Sequence, residues 1–207
     1  DIRISVSTEA TRRKRRGIGL RDVLVTLGIA LFIVAIVFAF SYFTRSEGGG
    51  SFVGINPYTG GLPTGPAPAL GSPAPDFEVP LLGGGTFKLS EHRGHVVWIN
   101  FWATWCPPCR VEMPDIEKVW QEEQGSDLAL VAVDFAEDTE TVRKFVERLG
   151  LAFPIGMDPY GGIATNYRVA GLPSHFMVDR EGILREIRIG LMGEATMRET
   201  LERLRSY

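Results

Sequence analysis

Along this chain the hydrophobic positions fall into three regimes, and each predicts a different kind of structure. Residues 23–43, VLVTLGIALFIVAIVFAFSYF, form a run of twenty-one residues without a charge. At about 1.5 Å per residue, a helix of that length matches a hydrocarbon core roughly 30 Å thick. The run predicts a transmembrane helix. A cleaved signal peptide fits less well, because its apolar region spans roughly 7 to 15 residues and ends at a small-x-small site. Only Ala39-Phe40-Ser41 faintly resembles such a site. Beyond this run the periodicity disappears. Residues 44–72 hold eight glycines and four prolines in 29 positions, far above the composition of a packed domain, and predict a flexible linker.

The third regime, residues 73–207, is long enough for one domain with its own core. Residues 95–102 (HVVWINFW) and 127–135 (DLALVAVDF) read as buried strands. Between them Cys109, Met113, Ile116 and Trp120 recur at helical spacing and form one apolar stripe. Pro107 and Pro108 suit the first turn of that helix, and Pro114, which cannot donate to the carbonyl of Arg110, is expected to kink it. A second helix is predicted over residues 139–149, opened by Asp138 as N-cap and closed by Gly150. HFMVD and ILREIRI flank the turn Arg180-Glu181-Gly182 and predict a hairpin, and residues 194–205 predict a closing helix. The order strand, helix, strand, helix, hairpin, helix predicts an α/β domain whose sheet mixes parallel and antiparallel pairs.

Charge sharpens this division. The formal net charge of −3 combines +4 in residues 1–22, zero in residues 44–72 and −7 in residues 73–207. The run RRKRR precedes the apolar segment and Arg45 alone follows it closely. The positive-inside bias then leaves residues 1–22 as a cytoplasmic tail and residues 73–207 outside the cytoplasmic membrane. Nucleic-acid binding or twin-arginine export has no support beyond the basic run itself. Glu137, Asp138 and Glu140 gather where the second helix starts; a negative first turn suits the helix dipole, so they do not by themselves suggest a cation site.

The chain has two cysteines, Cys106 and Cys109, in ATWCPPCR. A disulfide closing so short a loop removes little entropy from the unfolded chain and is a poor structural staple. A structural zinc site needs about four ligands, and His92, His95 and His175 have no spacing that would gather them around the pair. A copper carrier needs only two or three soft ligands, with Met113 and His175 as conceivable helpers, and stays open as an alternative. A redox pair fits the position best. Cys106 lies at a helix start, where unpaired N–H groups and the dipole favour its thiolate, and Cys109 lies one turn inside on the same face. Because Pro107 and Pro108 supply no N–H, the stabilisation is moderate, which suits a reductant more than a strong oxidant.

NFWATWCPPC (residues 100–109), followed by Pro114 and by YRVAGLPSHFMVDREG (residues 167–182), resembles the membrane-anchored thioredoxin-like proteins of the TlpA, ResA and DsbE type. The resemblance covers residues 73–207 and extends to the layout of anchor and linker. It implies a thioredoxin-like fold, a mixed central sheet flanked by helices behind a single N-terminal transmembrane helix. It implies Cys106 as attacking thiol, Cys109 as resolving thiol and Pro173 as the cis-proline beside them, with no cofactor beyond the redox-active disulfide and no metal. Glu112, three residues beyond Cys109, matches the active-site glutamate of the ResA type. Thioredoxins proper carry a buried Asp where this chain has Asn100, which cannot exchange a proton near neutral pH.

Trp105 and Leu172 are the expected contacts for a partner protein, Trp102 is expected in the core, and His175 reads as an ordinary strand residue. The resemblance further implies a thiol–disulfide oxidoreductase that reduces disulfides of apocytochrome c or of a metal-site protein. A transmembrane thiol donor of the CcdA or DsbD type would recharge it. A copper carrier of the SCO type would carry CxxxC rather than CxxC. A peroxidase of the peroxiredoxin type would need Pro and Thr or Ser where this chain has Ile99 and Ala103.

Overall fold

A computed structural model describes residues 63–207, together with Leu24, Ile29 and Ile33, each of them helical. The chain divides between Val53 and Gly54, and residues 63–207 lie in the second unit. Apart from those three residues, the expected transmembrane segment lies outside the described residues, as does the linker up to residue 62. No helix among the described residues is long and apolar enough to cross a membrane.

Within the second unit, a short antiparallel pair, β1 (Glu78–Pro80) and β2 (Thr86–Lys88), and a single 3-10 turn, Leu89–His92, lead into β3 (Val96–Trp102). Every residue of β3 is buried, which is why its sequence, apart from Asn100, is an apolar run rather than an alternating one. β3 pairs in parallel with β4 (Leu128–Phe135), and β4 with β5 (Ile155–Asp158). On its other side β3 pairs antiparallel with β6 (Ser174–Val178), which turns through Gly182, at a φ of 81°, into β7 (Leu184–Ile189). The order β5-β4-β3-β6-β7 gives the mixed sheet that the alternation of elements predicts.

Alternate residues of β3 feed two cores. Trp98 and Trp102 face α1 (Pro107–Glu122), α2 (Thr139–Leu149) and α4 (Glu194–Arg205), meeting Met113, Ile116, Phe145, Met197 and Leu201. Val97, Ile99 and Phe101 face the opposite way and pack with Phe87, Leu89, Tyr167 and Phe176, beside α3 (Gly162–Asn166). α1 continues through Pro114 to Glu122. α2 begins where Asp138 Oδ1 accepts from the backbone of Glu140 and Thr141, and ends at Gly150 in the left-handed region at a φ of 64°. Both signals were readable in the sequence.

The last part of the segment expected as linker lies against the domain. Thr64 N donates to Asn166 Oδ1 at 3.0 Å, and the Arg168 guanidinium donates to Gly65 O at 3.0 Å. Gly71 and Ser72 pair with the backbone of Leu184. Glycine and proline content marks a chain that cannot make its own helix or strand, but it does not prevent pairing with an edge already built.

Candidate active site

The site begins where β3 gives out. After Trp102 the backbone turns through Ala103, Thr104 and Trp105, and the turn is held from below: Thr104 N and Oγ1 each donate to the Glu137 carboxylate at 2.5 Å. Cys106 then caps α1. Its Sγ accepts from Cys109 N at 3.3 Å; Pro107 and Pro108, the first two helical residues, have no N–H to offer. Cys106 and Cys109 are joined by a disulfide with a Cα–Cα separation of 5.3 Å. The cap position and the residue three further on lie close enough for the sulfurs to bond.

The two sulfurs are not equivalent. Cys109 is completely buried, whereas Cys106 keeps 3% of its surface and stands beside Trp105, which is 60% exposed. Cys106 lines a groove of about 440 Å³ with Trp105, Pro107, Phe135, Gly171 and Leu172. The Leu172–Pro173 peptide bond is cis, and Pro173 O accepts from Gly190 N at 2.8 Å, which ties the β6 entry to the end of β7. The structure therefore gathers Trp105, Cys106 and Leu172 at one surface, with Pro173 adjoining, and places Cys109 and Glu112 behind it.

Glu112 is buried on α1, on the same apolar face as Cys109 and Met113. Its Oε1 accepts from Asn100 Nδ2 at 3.1 Å and its Oε2 from Met192 N at 3.1 Å. Asn100 sits in register with His175 across the β3–β6 pair. His175 is indeed a strand residue, as its sequence context predicts, but it is also part of the site. Its Nδ1 accepts from Trp98 Nε1 at 3.2 Å and lies 3.2 Å from Asn100 Nδ2, while its Nε2 lies 3.4 Å from Glu112 Oε2. Sequence reasoning did not join these residues. A signal existed: Asn and His each interrupt an otherwise apolar strand, and a buried polar group needs a polar partner.

The acidic cluster at the start of α2 divides its work. Glu137 holds the Thr104 turn, Asp138 caps the helix, and Glu140 pairs with Lys144 at 3.2 Å. Asp134, at the end of β4, is fully buried and receives Glu137 N on Oδ1 at 3.3 Å. Burial, followed by the neighbouring Glu137 carboxyl, pushes Asp134 up to about 9. Among the described residues no group of three or more His, Cys, Asp and Glu side chains could hold a metal ion.

Comparison with known proteins agrees with a redox pair set in a mixed α/β domain. Residues 70–187 match the family described as AhpC/TSA. The chain is 36% identical over 153 residues to the thiol-disulfide oxidoreductase ResA of Geobacillus kaustophilus, covering 74% of this chain and 88% of that protein. It is 42% identical over 135 residues to the thioredoxin-like protein YneN of Bacillus subtilis, covering 64% and 78% respectively. The crystal structure of a thiol:disulfide interchange protein DsbE from Chlorobium tepidum matches with a TM-score of 0.60 at 31% identity, over 68% of this chain and 97% of that one. The chain belongs to the AhpC/TSA family, and within it to the thioredoxin-like thiol–disulfide oxidoreductases of the ResA and DsbE type.

Proposed function

We propose that this oxidoreductase works as a membrane-tethered reductant of protein disulfides outside the cytoplasmic membrane. Its substrates would be apocytochrome c, with its pair of haem-attaching cysteines, or a metal-site protein with a vicinal pair. A thiol-delivering membrane protein of the CcdA or DsbD type would return it to the dithiol state. The apolar run of residues 23–43 and the basic residues before it support the tether and its orientation.

The observation that carries the reading is the unequal exposure of the two sulfurs. Only Cys106 meets the groove, so its thiolate attacks the partner's disulfide, forming a mixed disulfide and releasing the partner's first thiolate. Cys109 then gives its proton to Glu112 and attacks Cys106 Sγ, releasing the partner's second thiolate. Two electrons have passed to the partner, and Cys106–Cys109 is oxidised. When a donor reduces the pair, Glu112 returns the proton to Cys109. Asn100 cannot serve in that step, since its amide exchanges no proton near neutral pH. The paired prolines, which withhold N–H groups from Cys106, suit a pair that gives electrons away.

The copper-carrier alternative would call on Met113 and His175. Met113 shares the buried cluster of the two cysteines, but both ring nitrogens of His175 face other groups, so the second helper is missing.

The test is a pair of variants in the full chain. Cys106→Ser is expected to abolish disulfide reduction. Cys109→Ser is expected to accumulate long-lived mixed disulfides through Cys106, readable by mass spectrometry, and these would also identify the partners. A partner joined through Cys109 in the Cys106→Ser chain, with none in Cys109→Ser, would reverse the roles.

A further inference from the structure

Behind the disulfide, the hydrogens of one buried ring can be assigned from its neighbours. Trp98 Nε1 carries a hydrogen and no lone pair, so it only donates, and its acceptor is His175 Nδ1 at 3.2 Å. The Asn100 amide nitrogen, also only a donor, lies 3.2 Å from the same Nδ1. Nδ1 is therefore bare, and the neutral ring holds its proton on Nε2. That nitrogen has no formed hydrogen bond among the described residues and faces Glu112 Oε2 at 3.4 Å, with both side chains fully buried. A buried N–H left open beside a buried carboxylate is an arrangement that a shift of a few tenths of an ångström would close.

We propose that His175 is a positioning residue for thiol exchange: its Nε2–H closes onto Glu112 Oε2 and fixes the carboxylate one helical turn beyond Cys109. The proposal rests on the reading that Glu112 exchanges a proton with Cys109. It adds which oxygen does so. Oε2 receives Met192 N and, once the contact closes, His175 Nε2, whereas Oε1 receives Asn100 Nδ2 alone. Each carboxylate oxygen has two lone pairs, so the open one is on Oε1. The carboxylate cannot turn to present Oε2 without giving up both N–H contacts. Other charges do not intervene. Arg188, opposite His175 on β7, is held by Glu186, and α4 buries Met197, Thr200, Leu201 and Leu204. Trp98 and Asn100 thus act at one remove, by setting which nitrogen of His175 carries the hydrogen.

The sequence holds three histidines, so the ring can be followed by long-range 1H–15N NMR of the histidine-labelled full chain, with H175Q assigning the signal. The expected result is a proton on Nε2 and a bare Nδ1. A signal from the Nδ1-protonated form would overturn the proposal before any rate is measured. For kinetics, the reduced chain is mixed with glutathione disulfide, and release of the second glutathione reports the attack by Cys109. H175L is expected to slow that release by about tenfold and to change its pH profile, while H175Q, whose amide restores an N–H donor, recovers to within about threefold of the parent. Parent-like release and pH profile in H175L would overturn the proposal. E112Q separates the two possible failures. If E112Q is also parent-like, the role of Glu112 itself falls; if E112Q is slow and H175L is not, only the role of His175 does.

Discussion

Asp134 buries a carboxyl at the end of β4, beneath the turn that carries Trp105 and Cys106, and its protonation couples folding to pH. An unfolded chain sheds this proton near the ordinary value of 3.8, whereas the folded protein retains it up to about 9, chiefly because burial disfavours the charged form. Between those values the folded state binds the extra proton, so the contribution of Asp134 to stability is intact below about pH 4 and declines as pH rises toward 9. Asp134→Asn removes the titration and keeps an oxygen to accept Glu137 N. Urea unfolding of parent and variant is expected to agree near pH 4, with the variant gaining steadily as pH climbs. A constant difference across that window would show that Asp134 does not titrate there. At this scale the sequence was partly legible. Cys106, Cys109, Trp105 and Glu112 could be placed because a helix start and a three-residue spacing are local properties. The contact of Asn100 with His175 spans 75 positions and depends on strand register. The grip of Glu137 on Thr104 spans 33 positions and joins the ends of two neighbouring strands. No local pattern encodes either.

Helices and strands obeyed their sequence signals where they were long enough to have any. β3 and β4, with seven and eight residues, and α2, with eleven, announced themselves by apolar runs or by caps. β5 has four residues and α3 five, less than the window in which periodicity can be told from chance. They form because the sheet and its lower core are already there to receive them. Asp158 illustrates this: its carboxylate accepts from the backbone of Gly162, Ile163 and Ala164, so the cap of α3 comes from the end of β5. α2 has a more self-sufficient start, since Asp138 accepts from Glu140 N, Thr141 N and Thr141 Oγ1. Asp138→Ala removes all three bonds and is expected to cost about 1 kcal/mol of stability, with Asp138→Asn recovering most of it. Disulfide reduction should be unchanged in both, because Glu137 and not Asp138 supports the cysteine turn. Equal unfolding midpoints for Asp138→Ala and the parent would mean that water replaces the cap at no cost.

For the whole molecule, the proposed tether raises the question of on which side of the membrane the dithiol works, and there the basic tail makes a testable forecast. The proposed orientation, tail inside and cysteines outside, rests on the basic residues that precede residues 23–43 and the single Arg45 that closely follows them. Protease added to intact spheroplasts is expected to release a fragment carrying Cys106 and Cys109. Thr64, Gly65, Gly71 and Ser72 are tied to the domain by hydrogen bonds, so cleavage is expected before residue 63, because glycine-rich sequence of that composition is a preferred protease target. The residues before Arg21 should stay protected until the membrane is opened with detergent. Mass spectrometry of the released fragment gives the cut site, and an antibody to the tail gives the protection. Loss of the tail with the domain left intact would invert the orientation. The dithiol would then face the cytoplasm, whose own thiol pool reduces exposed disulfides, and a dedicated reductant of partner disulfides would have no evident work to do.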